Sequence, residues 1–177
     1  KTGGAMYFRA GVMTTMSLSK LVSNKAIVWG GSIATHKLIY FYQSSVEFNQ
    51  NKAHKGGAIY LFEMKVCINI HTAFIKNSCE ATGGVFYIFY VIRMENRASY
   101  FSANRALDYG GALLCSFLYI LYNIESTFED NKSVRSGGVI YGYRMSYIYN
   151  IQCNFIKNIA ADMDKLVKEV QGLILKH

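Results

Sequence analysis

The sequence predicts an all-β chain wound as a parallel β-helix of about six coils of 27 residues, and three columns of residues predict it. Gly-Gly pairs recur every 27 residues, with one 26-residue step: Gly3-Gly4, Gly30-Gly31, Gly56-Gly57, Gly83-Gly84, Gly110-Gly111 and Gly137-Gly138. Asn24, Asn51, Asn77, Asn104, Asn131 and Asn158 keep the same beat. Three positions before each stands a large apolar residue: Leu21, Phe48, Phe74, Phe101, Phe128 and Phe155. A fixed period in this range marks a repeat architecture in which neighbouring units bury one continuous core.

Within each unit the first strand follows the glycines, at 58–62, 85–89, 112–114 and 139–141. A second lies near 38–42, 64–68, 91–94, 118–122 and 147–149, and a shorter third contains the Phe column. β-branched and aromatic enrichment between turn residues argues strand. A helical unit is excluded, because the runs are short and paired glycines would break every helix at the same place. A propeller blade needs a longer period, of about 40 residues. At roughly 4.8 Å per coil, six coils span about 30 Å.

Stacking turns each column into a ladder: phenylalanines in the core, asparagines bonded above and below. A second amide column runs through Gln43, Asn69, Asn96, Asn123 and Asn150. Asparagine tolerates left-handed backbone, so both amide columns are expected at coil corners. The glycine pair marks a further corner that requires positive φ or close backbone approach. The small residues Ala26, Ala53, Cys79, Ala106, Ser133 and Ala160 fit an inward site at a tight bend. After Asn158 the register stops, and Met163, Leu166, Val167, Val170, Leu173 and Ile174 form a helical stripe. The expected organisation is β-helix repeats over residues 1–161 and a cap over 162–177, with an amphipathic helix at 162–176. The chain opens in mid-coil, which reads as a fragment continuing into further coils N-terminally.

Hydrophobic residues make up 51% and charged residues 17%, which excludes a disordered chain, and proline is absent. The apolar runs 85–92 and 112–122 are too short to cross a membrane as helices, so no transmembrane segment is expected. Nineteen Lys and Arg against 11 Asp and Glu give a formal charge of +8. That favours an anionic partner or, more simply, lysine in solvated turns. No tight Lys/Arg cluster appears and the aromatics read as core columns, so no nucleic acid is expected.

Candidate chemistry is sparse. Polysaccharide-cleaving β-helices need clustered carboxylates, but Glu47, Glu63, Glu80, Glu95, Asp108 and Glu125 fall in six different columns. Glu129-Asp130 is the one acidic pair inside the repeats. His71 and Glu125 share a column two coils apart, while His36 and His54 lack an acidic column-mate and read as solvated turn residues. Cys67, Cys79, Cys115 and Cys153 occupy four columns without a C-x-x-C pair, which argues against zinc and leaves two disulfides or free thiols. No catalytic, metal-binding or cofactor-binding residue is therefore expected. The position after the Asn column holds Lys25, Lys52, Arg105 and Lys132, interrupted by Ser78, a candidate stripe for an anion or glycan.

The recurring signature is Phe-x-x-Asn followed by Gly-Gly and an apolar pair. Phe48, Asn51, Gly56 and Gly57 carry it, then Phe74, Asn77, Gly83 and Gly84, Phe101, Asn104, Gly110 and Gly111, and Phe128, Asn131, Gly137 and Gly138. It resembles the repeats of the chlamydial polymorphic outer membrane proteins and related pectin-lyase-like β-helix proteins, over residues 2 to about 161. The resemblance implies a right-handed parallel β-helix on a secreted or cell-surface protein used in adhesion, with a glycan or host surface protein as partner. Its departures are Leu21 in the Phe column and Ser32, Val85 and Val139 after the glycines. The alternatives are a carbohydrate-active β-helix with its catalytic coils elsewhere, and an intracellular scaffold.

Overall fold

The computed structural model describes residues 1–161, so the cap helix expected over 162–176 lies outside the described residues. Every strand pairing is parallel and joins a residue to its counterpart one period away, as in Phe74↔Phe101 and Phe101↔Phe128. The result is a β-solenoid of about six turns, with no helix among the described residues.

Three sheets run along the stack. The long sheet holds Met6–Ser17, Ile33–Ser44, Ile59–Ile70, Phe86–Arg97 and Leu113–Ile124, followed by Ile140–Tyr143 and Tyr147–Ile151, which share one neighbour. The Phe sheet holds Lys20–Val22, Glu47–Asn49, Ala73–Ile75, Tyr100–Ser102, Thr127–Glu129 and Asn154–Ile156. The short sheet holds Lys52–Ala53, Ser78–Cys79, Arg105–Ala106, Lys132–Ser133 and Ile159–Ala160.

The two longer stretches expected in each repeat are one strand of 12 residues, as in Ile59–Ile70. The strand runs on between them, although the pairing of Ile33–Ser44 with Ile59–Ile70 skips the positions between His36↔Phe62 and Tyr40↔Val66. One residue per coil takes left-handed backbone and bends the strand in place: Ala10, Lys37, Glu63, Tyr90, Phe117 and Arg144, with φ between 52 and 60°. Only at Arg144 does the strand divide. Each such residue costs roughly 1–2 kcal/mol as a non-glycine, a cost carried by the ladders on either side.

The core is the stacked interior. Phe48, Phe74, Phe101 and Phe128 are 0% exposed, with ring centroids 4.7 to 5.2 Å apart along the column. The Asn column is a continuous amide ladder. Asn77 Nδ2 donates to Asn104 Oδ1 at 3.1 Å and to the Phe48 carbonyl at 2.9 Å, and its backbone N–H donates to the same Oδ1 at 2.9 Å. The pattern repeats from Asn24 to Asn158. The second amide column forms a simpler ladder, Asn69 to Asn96 to Asn123 to Asn150, at 2.7 to 2.8 Å.

Neither amide column supplies the corner backbone, contrary to the expectation from asparagine's tolerance of positive φ. The left-handed residues are Ser23, Gln50, Lys76, Ala103, Asp130 and Lys157, each directly before a ladder asparagine, and Leu18, Ser45, His71, Ala98, Glu125 and Gln152, two positions after the second amide column. The reason is direction: a ladder amide must point into the stack, so the residue beside it makes the turn. The two glycines have separate tasks. Gly83 sits at φ +74°, whereas Gly84 has no such φ, but a Cβ there would collide with the Gly111 carbonyl of the next coil. Gly83 needs glycine's conformation as well as its missing side chain, since a Cβ there would meet the Phe86 carbonyl, and Gly84 needs the missing side chain alone.

Candidate functional surface

The short sheet brings the basic stripe together. Lys25 pairs with Lys52 across one coil step and Arg105 with Lys132 across another, with Ser78 between, and all four cations are exposed. At roughly 5 Å per coil, Arg105 and Lys132 lie within a Debye length and reinforce one another's field. The other half of the stripe is partly neutralised. Lys52 Nζ lies 3.1 Å from Glu80 Oε1, and that hydrogen bond, with the charge of Lys52, holds the Glu80 carboxyl below its usual range.

The carboxylates of the described residues are dispersed, and several are held by a neighbouring cation. Glu47 meets Lys20 at 3.2 Å, Glu63 meets Lys37 at 3.6 Å, and Asp108 meets Arg135 at 3.2 Å. Hydrogen bonds from Asn49 and then Lys20 lower the Glu47 carboxyl. Glu129 accepts from the Tyr100 hydroxyl at 2.6 Å, which raises the Tyr100 pKa. Glu95 is 1% exposed on the long sheet, covered by Arg93 and Arg97, both of which it binds. His71 and Glu125 are exposed corner residues. No three His, Cys, Asp or Glu side chains among the described residues are placed to hold a metal ion.

All four cysteines are free thiols, and Cys67, Cys79 and Cys115 are buried. Burial pushes Cys67 and Cys79 up to about 12 and Cys115 higher still, so they are packing residues with little thiolate character.

The sequence reading missed the outer face of the long sheet. Aromatics do not follow the core alone: Tyr40, Tyr90, Tyr119 and Tyr143 are exposed. On the glycine-proximal side of the bend, Trp29, Tyr60 and Tyr87 form an outward stack at 5.1 and 5.4 Å, beside His36, Phe62 and Phe89 at 4.9 and 5.6 Å. Beyond the bend, Tyr122 stacks on Tyr149 at 5.0 Å, and the Arg93 guanidinium lies over the Tyr122 ring at 5.2 Å. At the bend itself a shallow groove of about 310 Å³ is lined by Lys37, Ile39, Glu63, Lys65, Tyr90 and Ile92 over Leu38 and Met64. The missed signal was the strand text itself. Runs such as Tyr87-Ile88-Phe89-Tyr90-Val91-Ile92 are apolar at both parities, which describes a sheet apolar on both faces.

The model of the Chlamydia polymorphic membrane protein repeat matches residues 45–61 and 125–143. The first stretch contains Phe48, Asn51, Gly56 and Gly57, and the second Phe128, Asn131, Gly137 and Gly138. These two stretches are similar to repeats of this type, and the chain that holds them is wound as a parallel β-solenoid. No curated protein and no solved structure matches the chain.

Proposed function

We propose that this chain is a non-enzymatic display segment of a cell-surface or secreted protein, an adhesin or structural stalk that binds an acidic glycan on a host surface. The observation that carries the reading is the register of Arg105 and Lys132 on an exposed sheet face. The fold spaces these like charges about 4.8 Å apart along the coil axis, and a chain of charge +8 draws an anionic ligand toward it. The match to repeats of a chlamydial membrane-protein family supports the surface location. The carboxylates, dispersed over the coils and several of them ion-paired, suit display better than glycosidic cleavage.

Retention on an immobilised sulfated polysaccharide, compared with a neutral dextran, tests this. Retention selective for the polyanion, weakening as salt rises and lost in the double variant Arg105→Glu, Lys132→Glu, is the expected result. Equal retention of wild type and double variant rejects the stripe as the binding element. Release of cleaved product from the polysaccharide would instead favour a carbohydrate-active enzyme.

A further inference from the structure

We infer that the shallow groove at the bend of the long sheet binds a single acidic sugar residue, a pyranose ring that carries a sulfate or a carboxylate. This goes beyond the short-sheet stripe and does not depend on it. The groove measures about 310 Å³, at the lower end of small-molecule sites, and crosses three coils, or about 10 Å. It lies where the ladder parts. Leu38 and Met64 are not paired with each other, although Leu38 pairs with Gly11 on one side and Met64 with Val91 on the other. Both form the floor, each 3% exposed. Above them the bend column changes character along the stack, from Lys37 and Glu63 to Tyr90 and Phe117. Phe89 and Phe117 hold the Tyr90 ring at 4.4 and 4.6 Å, and still leave it 48% exposed at the groove.

The polar groups around this ring select the occupant, because they are unspent. Lys37 Nζ lies 3.6 Å from Glu63 Oε2, an ion pair too long for a hydrogen bond. The Glu63 carboxylate is therefore open to hydroxyl donors. Lys65 lines the same groove, is exposed, and has no ion-pair partner among the described residues. Two lysines to one carboxylate leave the groove net positive, and Lys65 is the cation free to take an anionic group. A purely apolar ligand would cover Lys65 and Glu63 without pairing either, at a cost in desolvation. An acidic pyranose meets all three requirements at once. Its C–H face packs on the tyrosine ring, whose π-face is the negative one, its hydroxyls donate to Glu63, and its anionic group reaches Lys65. A ring held by two neighbouring rings loses little freedom on binding, which favours a small ligand.

Saturation-transfer NMR of the 177-residue chain with a glucose sulfate, glucuronate and glucose tests the inference, by a method suited to the weak affinity of a shallow site. Both anions are expected to bind more tightly than glucose, with their ring C–H protons saturated most strongly. Lys65→Glu should weaken both anions by about tenfold and leave glucose unchanged. Tyr90→Leu should weaken all three, whereas Tyr90→Phe, which keeps the ring, should not. Should Tyr90→Leu lose the wild-type far-ultraviolet spectrum, the exposed Lys65→Glu decides alone. The double variant Arg105→Glu, Lys132→Glu should leave this binding in place, so that failure of the groove and failure of the stripe are seen separately. Glucose that binds as tightly as its anions overturns the inference, as does an affinity untouched by Lys65→Glu. So does an absence of binding by all three sugars. A tetraglutamate peptide that binds this groove more tightly than either anion also overturns it, since the occupant would then be an acidic peptide.

Discussion

At the scale of single residues, the columns are strict because each position meets its own copy in the next coil. Gln43 shows what one misfit does. It stands where the second amide column has asparagine, and its extra methylene carries the amide out of register. Both of its side-chain polar atoms are buried without a hydrogen-bond partner, and so is Asn69 Oδ1, which an asparagine at 43 would reach. The rest of that ladder is intact from Asn69 to Asn150. Gln43→Asn is therefore expected to stabilise the chain by about 1 kcal/mol, because it adds a hydrogen bond and removes an orphaned acceptor. Urea denaturation measures this as a higher midpoint at unchanged slope. A lower midpoint would mean that filling the site with the longer side chain matters more than pairing Asn69.

At the scale of elements, a ladder is as strong as its middle rung. Asn104 accepts from the Asn77 backbone and side chain, and donates to Asn131 and to the Phe74 carbonyl. Asn104→Ala leaves several buried groups without partners, and a loss of about 3–5 kcal/mol is expected. Asn24, in the first described coil, has one ladder neighbour and is half-buried, so Asn24→Ala should cost about 1 kcal/mol. Equal losses at the two sites, in the same urea experiment, would show that the ladder does not couple neighbouring coils. The ladders themselves were legible in the sequence, since a column of one residue type at a fixed period has few structural meanings. The corner residues were not. Ser23, Gln50, Lys76, Ala103, Asp130 and Lys157 share no chemistry. A turn imposed by the tertiary ladder needs none from the residue that makes it.

At the scale of the whole molecule, inside and outside differ in how clearly the sequence states them. The core columns repeat the same residue, whereas the outer face varies from coil to coil, from Tyr42 to Ile68 to Glu95 to Tyr122. The basic stripe was legible because four cations share one column. The aromatic face was not, because its members alternate with core residues that are equally apolar. The core also sets how the molecule responds to pH. Cys67, Cys79 and Cys115 are held neutral by burial, Cys67 and Cys79 with pKa values of about 12 against an ordinary value of 9.0. The raised folded pKa means that the unfolded chain gives up these protons first. Their contribution is fully present below pH 9 and is lost as pH rises from there through about 12. Each thiol lowers stability by at most about 1.4 kcal/mol per pH unit in that window, so the three together approach about 4 kcal/mol per unit. Tyr60, pushed from 10.0 to about 12 by burial, adds to the decline at the upper end. Urea melts across this range should show stability flat up to pH 9 and falling steeply beyond it. The double variant Cys67→Ala, Cys115→Ala should start lower, because it leaves small voids, yet decline less steeply. Wild-type stability that holds level well past pH 9 would mean that solvent reaches these thiols in the folded chain, which a closed solenoid interior does not permit.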